Sequence, residues 1–447
     1  MRKILFFLLF FLFVACNVSD RTESLAVNVD YSLMENTQSH YGYIMTENEI
    51  TAYAAQLPGQ FLVDKTKAAT KRVESVSSFS KSNLCRGVDD KGLSDTVLSN
   101  IYLVHYNEGF AVLSADTRFE QVLIFSESGN VLDESTLCKS GIYSNDGNYT
   151  IYDIIELAPY YLSHLQKYVI DYPSYFSDVD STDANGYYYN NPDYYQTDWV
   201  NYEESFLSTG GVWGQESPYN IYCPLYYDSN DGEFYNCPVG CTALAIGEVM
   251  EHHAYPDSLS AYYCASGKVP ITWQWSYPSV NQESRIIADL LRQIADHLST
   301  VFTPNGSGAS FYQIPATLSH FGYSCNTVDT YSFSKIVTAM DQSASPIIVY
   351  GDDGTGGTYG HAWLIGGYKR QVRYWLCDWN VYGPDGTYRG RWTSVRDLPP
   401  DYSDYVYCNW GQYGEYNGYY SSSYLSFAGN VFNYNTRIIT NIHPTTY

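Results

Sequence analysis

The stretch CPVGCTALAIGEVMEHHAYP at 237–256 predicts a helix without a polar face. From Cys241 to His253 the apolar residues Ala243, Leu244, Ala245, Ile246, Val249 and Met250 nearly surround the axis, and Pro256 closes the run. A helix of this kind must be enclosed by other elements, and 447 residues are ample for two domains with cores of their own. Cys241 stands at the helix N-terminus, where unpaired backbone N–H groups and the positive end of the dipole favour a thiolate. Packing alone would not require a thiol at that end. A metal site built from Cys237, Cys241, His252 and His253 is disfavoured, because adjacent histidines diverge and lie about three turns from Cys241. Charge–dipole complementarity and solvation account for His252 and His253 in the last turn.

A nucleophilic thiolate needs a base, and the base needs an orienting group. In SASPIIVYGDDGTGGTYGHAWLIGGY a glycine-rich loop precedes His361, which opens a β run alternating through Trp363 and Ile365. In YCNWGQYGEYNGYY, Asn409 supplies an amide able to hold the imidazole and Trp410 an indole able to shield that bond from water. Upstream, GGVWGQESPYNIYCP carries Gln215, whose side-chain N–H is a candidate oxyanion donor beside the Cys241 backbone N–H.

The first residues, MRKILFFLLFFLFVACNVSD, read as a signal segment: two cations, then an apolar run at 4–15 too short to span a bilayer. FVAC resembles a lipobox, which makes Cys16 the candidate lipidation site; ordinary cleavage near Ala15 is the alternative. Export permits disulfides. Apart from Cys16 and Cys241, eight of the ten cysteines remain, and Cys223 with Cys237 and Cys377 with Cys408 are the pairs to inspect, free buried thiols being an equal possibility.

Periodicity then divides the chain. TENEITAYAAQL is helical, while IYLVHY, GFAVLSA and QVLIFSESG form a meander. DIIELAPYYLSHLQKYVIDYP is a second helix, ended by Pro173. The following SDVDSTDANGYYYNNPDYYQTDW lacks a period and reads as an exposed linker open to proteolysis. The domains are therefore a signal segment at 1–16, an α+β region at 17–175, a tyrosine-rich linker with a processing site at 176–205, and a second domain at 206–447. KRQVRYWLCDWNVYGPDGTYRGRW is a β-hairpin turning at Pro384, Asp385 and Gly386.

Several function classes fall away. A net charge of −24 repels nucleic acid and anionic membrane surfaces. The chain has no His-Glu-x-x-His and no Gly-x-Ser-x-Gly, and GTGGTYG lacks the Lys-Ser/Thr of a phosphate cradle. DSNDGEFY misses calcium-loop spacing and reads as a turn. No metal or cofactor is implied.

WGQESPYN, the cysteine block, GSGA at 306–309, GHAWLIGGY and NWG occur in the order found in the streptopain family of cysteine peptidases. The resemblance spans about 213–420. It implies a papain-like α+β catalytic domain, with a buried cysteine helix and an antiparallel, barrel-like β half, behind an α+β prodomain. It also implies Cys241 as nucleophile, His361 as base and acid, Asn409 as orienter under Trp410, and Gln215 as oxyanion donor. The implied product is an exported zymogen acting on protein or peptide substrates, with its own prodomain as inhibitor and any membrane contact through Cys16. Two departures stand out: Gln412 replaces the family's second Trp, and Glu248 replaces Gln, a change read as one of packing. The alternative is a surface binding protein that keeps the fold without activity and uses its 48 tyrosines for contact.

Overall fold

A computed structural model describes residues 44–78, 99–117, 120–129, 181–209, 211–352, 360–395, 401–427 and 430–445. All of these lie in one unit, 42–447. The signal segment, Cys16, Cys85, Cys138, the second expected helix and most of the glycine-rich loop lie outside the described residues.

The 14-residue strand Gly360–Arg373 organises the molecule. One edge carries Asp401–Asn409 along most of its length. The other edge is shared: Ile347–Asp352 pairs with its first half and Val200–Phe206 with its second. Around it runs an eleven-stranded antiparallel sheet. Beyond Asp401–Asn409 follow Gly418–Ser421 and then Val122–Ser126, Phe110–Ser114, Ile101–Tyr106 and Val73–Ser78. Past Ile347–Asp352 lie Tyr434–Ile439 and Asp329–Thr330. This path does not close on itself, so the β half is an open sheet, not the barrel expected. Closure would require its two edge strands to pair; here the strands bearing His361 and Asn409 are instead extended by the N-terminal meander.

The first helix, Glu47–Ala54, starts at a capping box in which Thr46 and Glu49 exchange hydrogen bonds. Its buried Ile50 and Ala54, with Leu57 and Phe61 of Leu57–Phe61, pack on Val104, Tyr106, Leu113 and Phe125 of the meander. The same cluster takes in Tyr405, Tyr407 and Tyr419 from the C-terminal strands. The N-terminal region therefore shares a core with strands of the second half of the chain. Apolar residues on both faces of neighbouring strands make the continuous sheet the larger burial.

The expected linker is also paired. Tyr188–Gln196 joins Trp375–Tyr382 and Tyr388–Val395 in a second sheet, and Val200–Phe206 joins the main one. Ion pairs from Lys369 to Glu204 and from Arg370 to Glu203 fasten the latter. Tyrosine suits a strand, but the partner strands lie far along the sequence, where local period carries no sign of them. The hairpin at 384–386 is present as expected, with Gly383 N–H donating to Thr387 O at 2.8 Å.

On the helical side, Cys241–His253 packs against Gln282–His297 and Ile314–His320. Their shared core includes Leu244, Ile246, Val249, Met250, Ile287 and Leu291. Gly247 marks the helix crossing: a Cβ there would lie 2.5 Å from Leu291. Leu364 and Ile348 carry this core onto the sheet, so the cysteine helix ends up beside the histidine strand.

Candidate active site

Gly240 sets the entry to the cysteine helix. Its φ of +97° suits glycine, and a Cβ would meet Ser307 O at 2.9 Å, so the GSGA segment lies directly over the helix start. Cys241 is the first helical residue and is half-buried. His361 opens its strand opposite Gly351 and is buried. Its Nε2 donates to the Trp410 carbonyl at 3.0 Å, since a carbonyl can only accept, which leaves Nδ1 for the sulfur. Burial pushes the Cys241 thiol up, but the hydrogen bond and charge of His361, with the Ala362 N–H and the Thr242 hydroxyl, more than offset it. The thiol ends below its ordinary range. By contrast, burial pushes Cys223 up to about 12 and Cys264 and Cys325 to about 11. Cys237 and Cys408 are raised as well. Cys241 is thus the one lowered thiol among the described free cysteines. Cys223, Cys237 and Cys408 are all free, so neither inspected disulfide is formed.

The rings around His361 form an apolar wall. Trp363 lies 6.2 Å away at 10°, Trp410 6.2 Å away at 26°, and Phe432 5.7 Å away. Period two places Trp363 on the same strand face as His361, a signal readable in GHAWLI. Phe432 has no such signal. Gln215 arrives through its backbone, whose carbonyl accepts from Val239 N–H at 2.9 Å, two residues before Cys241.

Asn409 is tied into the site by three hydrogen bonds of its own. Its amide Nδ2 donates to Gly211 O at 3.1 Å and to Glu248 Oε1 at 3.3 Å, and its Oδ1 accepts from Gly411 N–H at 3.1 Å. His361 Nε2 bonds to the backbone carbonyl of the next residue, Trp410. Side-chain identity cannot reveal a backbone acceptor of this kind. Glu248, read in the sequence as a packing change, is buried and also accepts that Asn409 amide.

Tyr413 was missed altogether. Its N–H donates to Trp213 O at 2.8 Å, and its hydroxyl accepts from Glu216 N–H at 3.2 Å. A Cβ on Gly214 would meet its ring at 2.2 Å, so the loop after Trp410 is pressed onto the residue before Gln215. The half-buried Gln412 lies next to it. His252 and His253 are half-exposed, and beyond solvation their rings bond to Ser208 O, Ala344 O and Ile442 O, pinning the helix end. The acidic run at 228–233 is a hairpin turn, as expected.

The model of the Peptidase C10 family matches residues 213–420, the stretch that contains Gln215, Cys241, His361, Asn409 and Trp410. This stretch is similar to the peptidase C10, or streptopain, family of cysteine peptidases. Among curated proteins, the thiol protease/hemagglutinin PrtT of Porphyromonas gingivalis is 22% identical over 213 residues, covering 40% of this chain. The match spans only 21% of that protein's length. Among solved structures, active interpain A cysteine protease of Prevotella intermedia is 20% identical, with a TM-score of 0.35, covering 53% of this chain and 94% of that one. A prointerpain A fragment from the same organism is 18% identical, with a TM-score of 0.41, covering 76% and 94%. In C10 terms, the segment brings the cysteine and histidine blocks into hydrogen-bond contact across the helix–sheet junction.

Proposed function

We propose that this chain is an exported cysteine endopeptidase made as a zymogen. The observation that carries this is the hydrogen bond between His361 and a Cys241 thiol held below its ordinary range at a helix N-terminus. In the reaction, the Cys241 thiolate attacks the scissile carbonyl, and the oxyanion is met by the Cys241 backbone N–H and the Gln215 side-chain amide. His361, as imidazolium, passes its Nδ1 proton to the leaving amine while Trp410 O keeps Nε2 in place. A thioester remains. Water then adds to it, giving its proton to His361, and collapse releases the acid and restores the thiolate.

The N-terminal region at 17–175 acts as an inhibitory prodomain in this reading. Its support is position: Glu127 N–H donates to Asn417 O at 2.9 Å and Ser128 Oγ to Gly414 O at 2.8 Å, on the loop that follows Trp410. Asn417 Oδ1 in turn accepts from Trp410 N–H at 3.3 Å. Export and lipidation at Cys16 complete the proposal, and the mass of the membrane-bound form against Cys16→Ser tests that part.

Mass spectrometry of purified protein before and after incubation, beside Cys241→Ala, tests the peptidase. Wild type should shorten and cleave added peptides, while the variant persists at full length and cleaves nothing. Equal peptide cleavage by the two would overturn the assignment.

A further inference from the structure

Two carboxylates lie buried on the inner face of the cysteine helix, where no step of the reaction uses them. Glu248 is 1% exposed and Glu251 7%. Glu248 sits about two turns along the helix from Cys241. It accepts from the Asn409 amide at 3.3 Å and from the Trp213 backbone N–H, while Glu251 accepts from the Gly211 backbone N–H. Gly211 O takes the second Asn409 amide proton at 3.1 Å, which ties the 211–213 backbone to the same cluster. Three segments of the site meet at this carboxyl: the helix bearing Cys241, the stretch leading to Gln215, and the strand end bearing Asn409 and Trp410.

We propose that Glu248 is a positioning residue, holding Asn409 from below and so fixing the Trp410 carbonyl that orients His361 toward Cys241. This role presupposes the peptidase function proposed above. Asn409 is fully buried and spends its amide donors on Gly211 O and Glu248, so losing the Glu248 acceptor would leave a buried N–H without that partner. A backbone carbonyl one residue away cannot hold its angle if the Asn409 side chain relaxes. Burial holds the Glu248 carboxyl well above the usual carboxylate range, so its role is to accept hydrogen bonds, and an uncharged acceptor of the same shape should serve.

The test uses full-length protein processed to the active form, with rates expressed per titrated Cys241 thiol. Glu248→Leu should lower kcat about tenfold or more with KM unchanged. It should also move the pH of half-maximal Cys241 alkylation by iodoacetamide upward, because a misaligned His361 no longer stabilises the thiolate. Glu248→Gln keeps a carbonyl acceptor and should restore both readouts to within about twofold of wild type. A protein merely loosened by the Leu side chain would lose active sites but keep the alkylation profile of those that remain. An unchanged kcat per site in Glu248→Leu, or an equal loss in the Gln variant, would overturn the proposal. Should the Leu variant not fold, the Gln variant decides: a large loss there sinks the role and wild-type behaviour upholds it. If wild type cleaves no peptide, the peptidase reading fails, and the alkylation profiles still judge Glu248.

Discussion

Cys241 differs from the other described thiols through its neighbours. Burial acts on all of them, and His361 is the group that reverses its effect at this position alone. Iodoacetamide should therefore label Cys241 first, with loss of activity, and peptide mapping checks the site; inactivation with another cysteine labelled would count against it. The sign with pH follows. The thiolate fraction rises with pH through a pKa below the ordinary thiol range, so kcat/KM should climb at a correspondingly low pH and fall when the imidazolium is lost. The resulting bell reports the coupled pair rather than either residue alone. Gly240 gives a second residue-scale expectation. Its φ of +97° and the 2.9 Å approach of Ser307 O leave no place for a methyl group. Gly240→Ala should cost about 1–3 kcal/mol of stability and depress kcat by shifting the Cys241 N–H, measured by urea unfolding and active-site titration.

At the scale of the element, the cysteine helix carries groups whose titration pulls in opposite directions. Burial raises Glu251 to about 7, and burial with the neighbouring His252 lowers His253 to about 4. For Glu251 the folded pKa lies above the unfolded one. Its contribution is present in full below about pH 4.5 and lost as pH rises through about 7, on the order of 3 kcal/mol. For His253 the folded pKa is depressed, so its contribution is present above about pH 6.5 and lost as pH falls toward 4. Glu251→Gln should remove the first slope and leave the second. Unfolding free energies of wild type and variant, measured from pH 4.5 to 7.5, should then diverge by roughly that amount; parallel curves would rule the account out.

For the whole molecule, the shared sheet limits where the zymogen proposed above can be cut. Residues 188–206 are largely committed to strands, and proteases need unpaired chain. The turn ahead of them is open: Ala184 and Asn185 are exposed, and Asp183 Oδ1 accepts from Asn185 N–H and Tyr187 N–H at 2.9 Å. Active enzyme added to the Cys241→Ala precursor should trim it on the N-terminal side of Tyr188, leaving both paired strands with the mature chain. Terminal sequencing of the product checks this, and a new terminus within 188–206 would contradict it. Peptide cleavage by uncut precursor at the trimmed rate would remove the inhibitory role from the N-terminal region.

The cysteine helix, the meander strands and the order of the catalytic blocks were legible in the sequence, because each depends on local terms: apolar period, turn residues and side-chain chemistry within a short window. The sequence also pointed to Cys241 and His361 as partners, and the two side chains are in hydrogen-bond contact. Hidden were the pairing of the tyrosine-rich segment, the N-terminal core shared through Tyr405 and Tyr419, the Trp410 carbonyl on His361, and the bond from Asn409 to Glu248. These are long-range pairings or backbone contacts. Their energy comes from partners more than a hundred residues away or from atoms common to every residue, and only the assembled tertiary structure selects among them.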